Sequence, residues 1–179
     1  MKKAAFLLIV FSIISCQSDK QYNTVTVKDK FAIELPADMV KAENLNKESS
    51  LQYQNLANEF YVIVIDETKK SFEVLLKEKT IATPDLDGYV SVMKRNLERT
   101  VSYPKFSAID NSKINGLKAR QFSVTGVVDD FSVYYEFAYI EGKSNYYQIA
   151  IWTEKSAKEA AQDKMKRIIN SFKEIKKRG

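Results

Sequence analysis

Residues 131–153, FSVYYEFAYIEGKSNYYQIAIWT, hold two dense runs of aromatic and β-branched side chains joined by a short turn at 141–143. Strict alternation of this kind is typical of β-strands, and a short connection containing glycine is typical of an antiparallel hairpin. We therefore expect two paired strands at the centre of the fold. One face of the first strand would carry Phe131, Val133, Tyr135, Phe137 and Tyr139, and one face of the second would carry Tyr146, Gln148, Ala150 and Trp152.

Further strands are predicted outward from this hairpin. A turn at 129–130 connects it to the run LKARQFSVTGVV (117–128), and the Asn115-Gly116 turn connects that run to FSAIDNSKI (106–114). Nearer the N-terminus, FAIEL (31–35) ends at Pro36, which cannot donate to a strand ladder. LQYQN (51–55) and FYVIVID (60–66) follow, and the second is apolar throughout, as a strand covered on both faces would be. Together these runs predict an antiparallel meander.

Three helices are predicted around the strands. The first, a short one at 68–79, has a weak apolar stripe of Phe72, Leu75 and Leu76. The second, at 83–101, has Thr83 as its expected N-cap and Pro84 at its first position, with an apolar stripe of Leu86, Tyr89, Met93, Leu97 and Val101. The third begins at a capping box of Ser156 and Glu159 and has the stripe Ala161, Met165, Ile168, Phe172 and Ile175.

The order of these elements resembles the PsbP-like family, a broad group that includes bacterial envelope lipoproteins of the DcrB type. The resemblance is carried by FAIELPADM (31–39), INGLKA (114–119), YYEFAYIEGKSNYYQIAIWT (134–153) and IINSF (168–172). It implies an α/β/α sandwich, an α+β architecture in which helices flank a central, largely antiparallel sheet. It also implies a non-enzymatic accessory or assembly role. No residues match the calcium- or manganese-related positions of photosynthetic members, so we predict no metal site and no cofactor.

The N-terminus has the pattern of an export signal. Lys2 and Lys3 precede AAFLLIVFSII (4–14), an apolar run of signal-peptide length that is too short to span a membrane. Ser15 followed by Cys16 resembles the lipobox of bacterial lipoprotein precursors, in which the cysteine is acylated, commonly with palmitate. Attached acyl chains would hold the protein at a membrane. The alternative is an ordinary secretory signal with an incidental cysteine.

These features predict a division of the chain into a signal peptide (1–15), a lipidated tether (16–24) and one globular domain (25–179). Gln17 after the cysteine favours the outer over the inner membrane in the best-known sorting rule for such lipoproteins. Loss of the signal, with its two lysines, lowers the formal net charge from +5 to about +3. This small excess is clustered only at Lys173, Lys176, Lys177 and Arg178, and it argues against nucleic acid binding. For that basic run we favour a helix-dipole and surface role over contact with lipid headgroups.

Several kinds of catalytic site are excluded by composition. The chain contains no histidine, its only cysteine is Cys16, and it has five glycines without a phosphate-binding loop. The remaining candidates are the carboxylate pairs Asp66-Glu67, Asp85-Asp87 and Asp129-Asp130, which we interpret as turn and capping residues.

Two classes of function remain. We favour a lipid-anchored, non-enzymatic envelope protein that binds a partner protein. The alternative is a periplasmic domain that binds a small ligand or uses its carboxylates for hydrolysis. The aromatic face could stack on a ligand, although we favour a role in core packing under the helices. The side chains that we expect at a groove or partner contact are Tyr134, Tyr146, Tyr147 and Trp152.

Overall fold

Eleven strands and three helices make up the part of the chain that the computed structural model describes, residues 21–79 and 83–175. In chain order they are β1 (Tyr22–Val27), β2 (Phe31–Pro36), β3 (Val40–Lys41), β4 (Leu51–Asn55), β5 (Phe60–Thr68), α1 (Lys69–Lys79), α2 (Leu86–Thr100), β6 (Ser102–Phe106), β7 (Asp110–Ile114), β8 (Leu117–Val128), β9 (Phe131–Glu141), β10 (Asn145–Glu154), α3 (Lys158–Ser171) and β11 (Lys173–Glu174). Short 3-10 turns at Leu56–Asn58 and Lys155–Ala157 connect β4 to β5 and β10 to α3.

The central sheet is antiparallel and has eight strands in the order β3-β4-β5-β10-β9-β8-β6, with β7 paired to β8. The hairpin predicted at 131–153 forms β9 and β10, and β10 lies in the middle of the sheet. Trp152 on β10 is directly opposite Tyr61 on β5 and Tyr135 on β9. A second, three-stranded sheet has the order β1-β2-β11.

Two hydrophobic cores lie on opposite faces of the central sheet. On one face, α3 and β2 pack against the side chains of Val62, Ile140 and Ile149. On the other face, α1 and α2 pack through Phe72 and Tyr89 against a core that is rich in aromatic rings. Because helices cover both faces of an antiparallel sheet, the predicted α/β/α sandwich is confirmed.

The helix caps differ from the predictions. At α2 the N-cap is Asp85 instead of Thr83, because the Asp85 carboxylate accepts a hydrogen bond from the Gly88 N–H at 2.8 Å. Thr83 instead donates its hydroxyl hydrogen to Asp85 at 2.7 Å. At α3 the predicted capping box is wrong, since Ser156 lies in the preceding 3-10 turn and the N-cap position has no side-chain hydrogen bond.

The C-terminal helix is also shorter than its apolar stripe predicts. It ends at Ser171, and the chain then turns so that Lys173 and Glu174 pair with β2. Phe172 is fully buried in this new direction, stacked on Phe31. A further helical turn would have directed Ile175 toward the core. Instead, the Phe172 ring is buried, and Lys173 and Glu174 pair with β2.

Two strand boundaries differ as well. The run at 106–114 is not one strand: β6 and β7 are separate, and both pair with β8. β1 begins at Tyr22, inside the segment that the sequence assigned to a tether ending at residue 24. The predicted signal peptide and Cys16, the side chains of Leu75 and Leu76, and the cations Lys176, Lys177 and Arg178 lie outside what the structure describes.

Candidate binding cleft

Of the three carboxylate pairs that the sequence singled out, Asp66-Glu67 and Asp85-Asp87 are engaged by neighbouring groups, and Asp129-Asp130 occupies a hairpin turn. Asp87 forms a two-point contact with Arg120, at 2.7 Å and 3.1 Å. Asp66 accepts from Lys30 at 2.8 Å and from Asn145 at 3.1 Å. Asp85 caps α2, and its hydrogen bonds from Thr83 and Gly88 lower the pKa of its carboxyl. Within the described ranges, no group of three or more Asp, Glu or Cys side chains is arranged to hold a metal ion.

A row of aromatic rings crosses the sheet beside the core of the α1/α2 face. Trp152 stacks on Tyr61, with ring centroids 5.1 Å apart and planes 15° apart, and it contacts Tyr135 at 5.7 Å on the other side. The row follows from the strand register, because these three residues are direct cross-strand neighbours on β5, β10 and β9. All three rings are only partly buried, in contrast to Tyr139 and Tyr146 further along the same face.

These rings line an open cleft of about 390 Å³ at one end of the sheet. Leu45 and Val133 add apolar surface to its walls, and Phe131 lies at its rim with 70% of its surface exposed. Phe131 belongs to the β8–β9 hairpin, whose turn residues Asp129 and Asp130 both have positive φ angles, 46° and 68°. The tight turn thus presents Phe131 to solvent where the sheet ends.

Three carboxylates lie among the described residues that line the cleft, and no lysine or arginine does. They are Glu59, which follows the 3-10 turn, Asp129 in the hairpin turn and Glu154 at the end of β10. None of the three forms an ion pair with another residue in the described ranges. Burial raises the pKa of the neighbouring Tyr135 hydroxyl, and the negative charge of Asp129 adds to that effect.

Of the four predicted contact residues, only Trp152 lies in this cleft. Tyr134 is buried on the α3 face, where its hydroxyl hydrogen-bonds to Glu136 and Gln162. Burial and the bond to Glu136 raise the pKa of Tyr134 to about 12. Tyr146 is buried beneath α1 and α2, stacked on Tyr89 with centroids 4.6 Å apart. Both rings pack in the core, the role that the sequence analysis favoured for most of the aromatic face.

Tyr147 lines a second cavity, of about 740 Å³, at the opposite end of the sheet. Most of the residues that line this cavity are polar or charged, and Lys30, Asp66 and Glu174 among them are ion-paired or hydrogen-bonded. The hydroxyl of Tyr147 donates to Glu174 at 3.1 Å, and the Glu174 carboxylate also accepts the Lys143 N–H at 3.0 Å. The ion pair of Lys30 and Asp66 forms another wall. These bonds join β10 to β11 and the β1–β2 turn to β5, which indicates a role in holding the two sheets together.

Sequence reasoning missed the partners that make Trp152 part of a cleft. Tyr61 was hidden in a run that is apolar throughout, and Glu59 and Glu154 stand at the ends of strands. Their proximity depends on the pairing of β5 with β10, which are separated by α1, α2 and four strands in the chain. The only available signal was the alternation that places Phe131 and Tyr135 on one face of their strand and Trp152 among the aromatic residues of the next.

The described residues contain no helix that is both long and apolar enough to cross a membrane. No protein-family model matches the sequence, and no curated protein matches it significantly.

Two solved structures have a similar fold. Cyanobacterial PsbP (CyanoP) from Synechocystis sp. PCC 6803 matches with a TM-score of 0.63 at 9% identity, over 87% of this chain and 94% of that chain. PA94 from Pseudomonas aeruginosa, a protein of unknown function, matches with a TM-score of 0.50 at 10% identity, over 84% of this chain and 94% of that chain. At such identities the likeness shows the fold alone, and it confirms the predicted PsbP-like fold.

Proposed function

We propose that this protein is a lipid-anchored bacterial envelope protein that acts without catalysis, as an accessory or assembly module, and binds a partner protein through the aromatic cleft. The observation that carries the proposal is the open row of Tyr61, Trp152 and Tyr135 with the exposed Phe131 at its rim. Large aromatic side chains that stay accessible at the end of a sheet are typical anchors of protein interfaces.

The position of the cleft fits an anchored protein. Tyr22 pairs with Pro36, and the Gln21 carbonyl accepts from the Ala37 N–H at 2.8 Å. The Asp38 carbonyl in turn accepts from the side chain of Asn55, which pairs with Phe60 at the start of β5. The described chain therefore begins at the end of the molecule where Glu59 and Tyr61 line the cleft.

A lipid at Cys16 would bring that end close to the membrane. Five peptide units separate Cys16 from Gln21, and at most about 3.6 Å per residue gives a reach of about 18 Å. The proposed division is a signal peptide at 1–15, a tether that starts at Cys16 and a globular domain with β1 as its first strand. Gln17 favours the outer membrane, and the partner would be an envelope protein within reach of the membrane surface.

Hydrolysis by paired carboxylates has less support. Asp66 is paired with Lys30, and Asp87 is paired with Arg120. Asp85 caps the start of α2, so each of the three already has a structural partner. Binding of a small molecule in the cleft is the alternative function, and the absence of a crosslinked protein from position 131 would leave it standing.

Site-specific photocrosslinking in intact cells tests the binding role. A photoreactive residue replaces Phe131 at the rim of the cleft, and the matched control replaces Val74, an exposed apolar residue on α1 (49% exposed). We expect a discrete crosslinked protein from position 131 and none from position 74. Equal products from both positions, or none from 131, would contradict the proposal.

Metabolic labelling with an alkyne fatty acid tests the anchor. The wild-type chain should become labelled and partition with membranes, and the Cys16→Ser chain should remain unlabelled. Equal labelling of the two chains would refute the lipid anchor. The binding role of the cleft would still be tested by the crosslinking experiment.

A further inference from the structure

We infer that the aromatic cleft receives a lysine or arginine side chain from an extended segment of the partner protein. The inference rests on the proposed binding function and adds the chemistry of the partner. The observations that carry it are the three unpaired carboxylates Glu59, Asp129 and Glu154 and the aromatic rings between them.

The charge in the cleft is opposite in sign to that of the chain. The full chain has 28 basic and 23 acidic residues, yet the cleft is lined by acidic side chains only, within the described residues. Some acidic groups elsewhere have cations beside them, as Asp66 has Lys30 and Glu141 has Lys69 and Lys118, whereas Asp29 in the second cavity forms no ion pair within the described residues. The cleft carboxylates lack such partners, so a cation supplied by another molecule could form ion pairs with them.

The rings favour a cation of a particular kind. Aromatic faces carry negative potential and attract guanidinium and ammonium groups within about 6 Å of the ring centre. Phe131 is 70% exposed and has no ring stacked on it among the described residues, so its faces are accessible. The apolar walls from Leu45 and Val133 suit the methylene stem of a long basic side chain.

The size and charge of the cleft select between possible occupants. Its volume of about 390 Å³ is at the lower end of the range of ligand pockets, about 300–1,000 Å³, which suits one long side chain and its flanking backbone. A lipid headgroup would bring a phosphate toward Glu59, Asp129 and Glu154 without a basic residue to receive it. A partner segment with a basic side chain brings no such group, so we commit to a protein as the occupant.

Trp152 is the only tryptophan in the chain, so its fluorescence reports on this cleft. The experiment titrates the detergent-solubilised full chain with the capped peptide acetyl-Gly-Arg-Gly-Arg-Gly-amide. The matched probe has citrulline in place of each arginine, which preserves shape and hydrogen-bonding groups and removes the charge. We expect saturable fluorescence changes with the arginine peptide, and an affinity for the citrulline peptide that is weaker by about tenfold.

Two triple variants with the same net charge separate a local effect from a global one. The first, E59Q/D129N/E154Q, neutralises the cleft and should weaken arginine-peptide binding by about tenfold or more. The second, E43Q/E98Q/D163N, neutralises three exposed acidic residues outside the cleft and should bind as the wild type does. Each variant's unfolding midpoint is measured first, so that weaker binding is read only from folded protein.

The possible results divide cleanly. Equal affinity for the arginine and citrulline peptides, or equal loss in both triple variants, would overturn the inference. A response of Trp152 to phosphatidylethanolamine vesicles but not to the arginine peptide would also overturn it, in favour of lipid. A crosslinked partner at position 131 together with no arginine preference would refute the cationic occupant and leave the binding function standing. Arginine-selective binding without any crosslinked partner would refute the binding function in cells and leave the cation preference of the cleft standing.

Discussion

Trp152 and Tyr61 stack face to face across two neighbouring strands, with their ring centroids 5.1 Å apart, at the edge of a cleft whose charged side chains are all acidic within the described residues. Because the chain has no other tryptophan, ionic quenchers can measure the local charge at this site. Trp152 stays only partly buried although it lies in the middle strand of the sheet, with the rings of Tyr61 and Tyr135 on either side of it.

We predict that caesium ions quench Trp152 fluorescence more strongly than iodide does, when each is expressed relative to its quenching of free N-acetyltryptophanamide, although the whole chain is positively charged. The carboxylates of Glu59, Asp129 and Glu154 should concentrate cations near the indole over about one Debye length, about 10 Å at 0.1 M salt. E59Q/D129N/E154Q should abolish the preference for caesium and leave quenching by neutral acrylamide unchanged. Stronger relative quenching by iodide in the wild type would show that the cleft does not have the charge that we assign to it.

A second prediction concerns the start of α2. Asp85→Ala should lower the free energy of unfolding by about 1 kcal/mol, because it removes the acceptor for the Gly88 N–H. Ser156→Ala should change it much less, since no side-chain hydrogen bond caps α3. Urea unfolding of the two variants beside the wild type checks the contrast. A larger loss for Ser156→Ala would mean that the capping box predicted from sequence does form.

These two caps show what local sequence can and cannot predict. Thr83 and Ser156 both have the right chemistry for a cap, and both precede an apolar stripe of helical spacing. Which residue caps is decided by where the backbone first turns helical, and that depends on how the helix packs on the sheet. The element type was therefore predictable at both places, and the capping residue was not.

The strands show the same division. The bounds of β4 and β8 were predicted to the residue, because turns with strong signals flank alternating runs. β11 was missed because two residues, Lys173 and Glu174, become a strand only through pairing with β2, far away in the chain. For the same reason Trp152 could be predicted as a contact residue from the sequence. Tyr61 and Glu59 could be assigned to the cleft only once the register of β5 and β10 was known.

A third prediction concerns Asn115, whose turn was expected but whose second role was not. Its side-chain amide donates to the Asn170 carbonyl at 3.0 Å and to the Phe172 carbonyl at 2.7 Å, so it fastens the end of α3 to the β7–β8 hairpin. Asn115→Gly keeps the positive φ of 48° and removes both bonds, at a cost of about 1–2 kcal/mol in unfolding free energy.

The matched control for that substitution is Asp130→Gly. Asp130 occupies the β8–β9 hairpin turn with a φ of 68° and has no hydrogen bond of its side chain within the described residues. Asp130→Gly should be neutral or slightly stabilising in urea unfolding, because glycine adopts a positive φ without strain. Equal losses in the two variants would assign the Asn115 effect to the turn and not to the contacts with α3.

A fourth prediction concerns Gly88, where helix propensity favours alanine and packing favours glycine. Gly88 lies in the first turn of α2, where alanine would be favoured by up to about 1 kcal/mol on propensity alone. A Cβ at this position would, however, lie 2.8 Å from the Thr83 backbone nitrogen and closer still to the Thr83 carbonyl oxygen. We expect Gly88→Ala to lower the unfolding free energy by about 1–3 kcal/mol. Ser91→Ala, at an exposed position of the same helix, should raise it slightly, and a gain from both variants would contradict the close contact.

The last prediction concerns pH and the half-buried Glu67. Burial raises the pKa of its carboxyl, and the hydrogen bond from Tyr89 offsets only part of that effect. The folded state therefore binds the proton more tightly than the unfolded state does, so Glu67 costs stability once the pH has risen through its folded pKa.

Glu67→Gln keeps an acceptor for Tyr89 and removes the charge, so the variant should be more stable than the wild type at pH 7.5. The gain should disappear by about pH 4, where the wild-type side chain is itself protonated in the folded state. Urea unfolding at the two pH values measures it, with the exposed Glu98→Gln as the control that should show no gain at either. A difference that is independent of pH, or larger in acid, would show that the carboxylate is not destabilised by burial at this position.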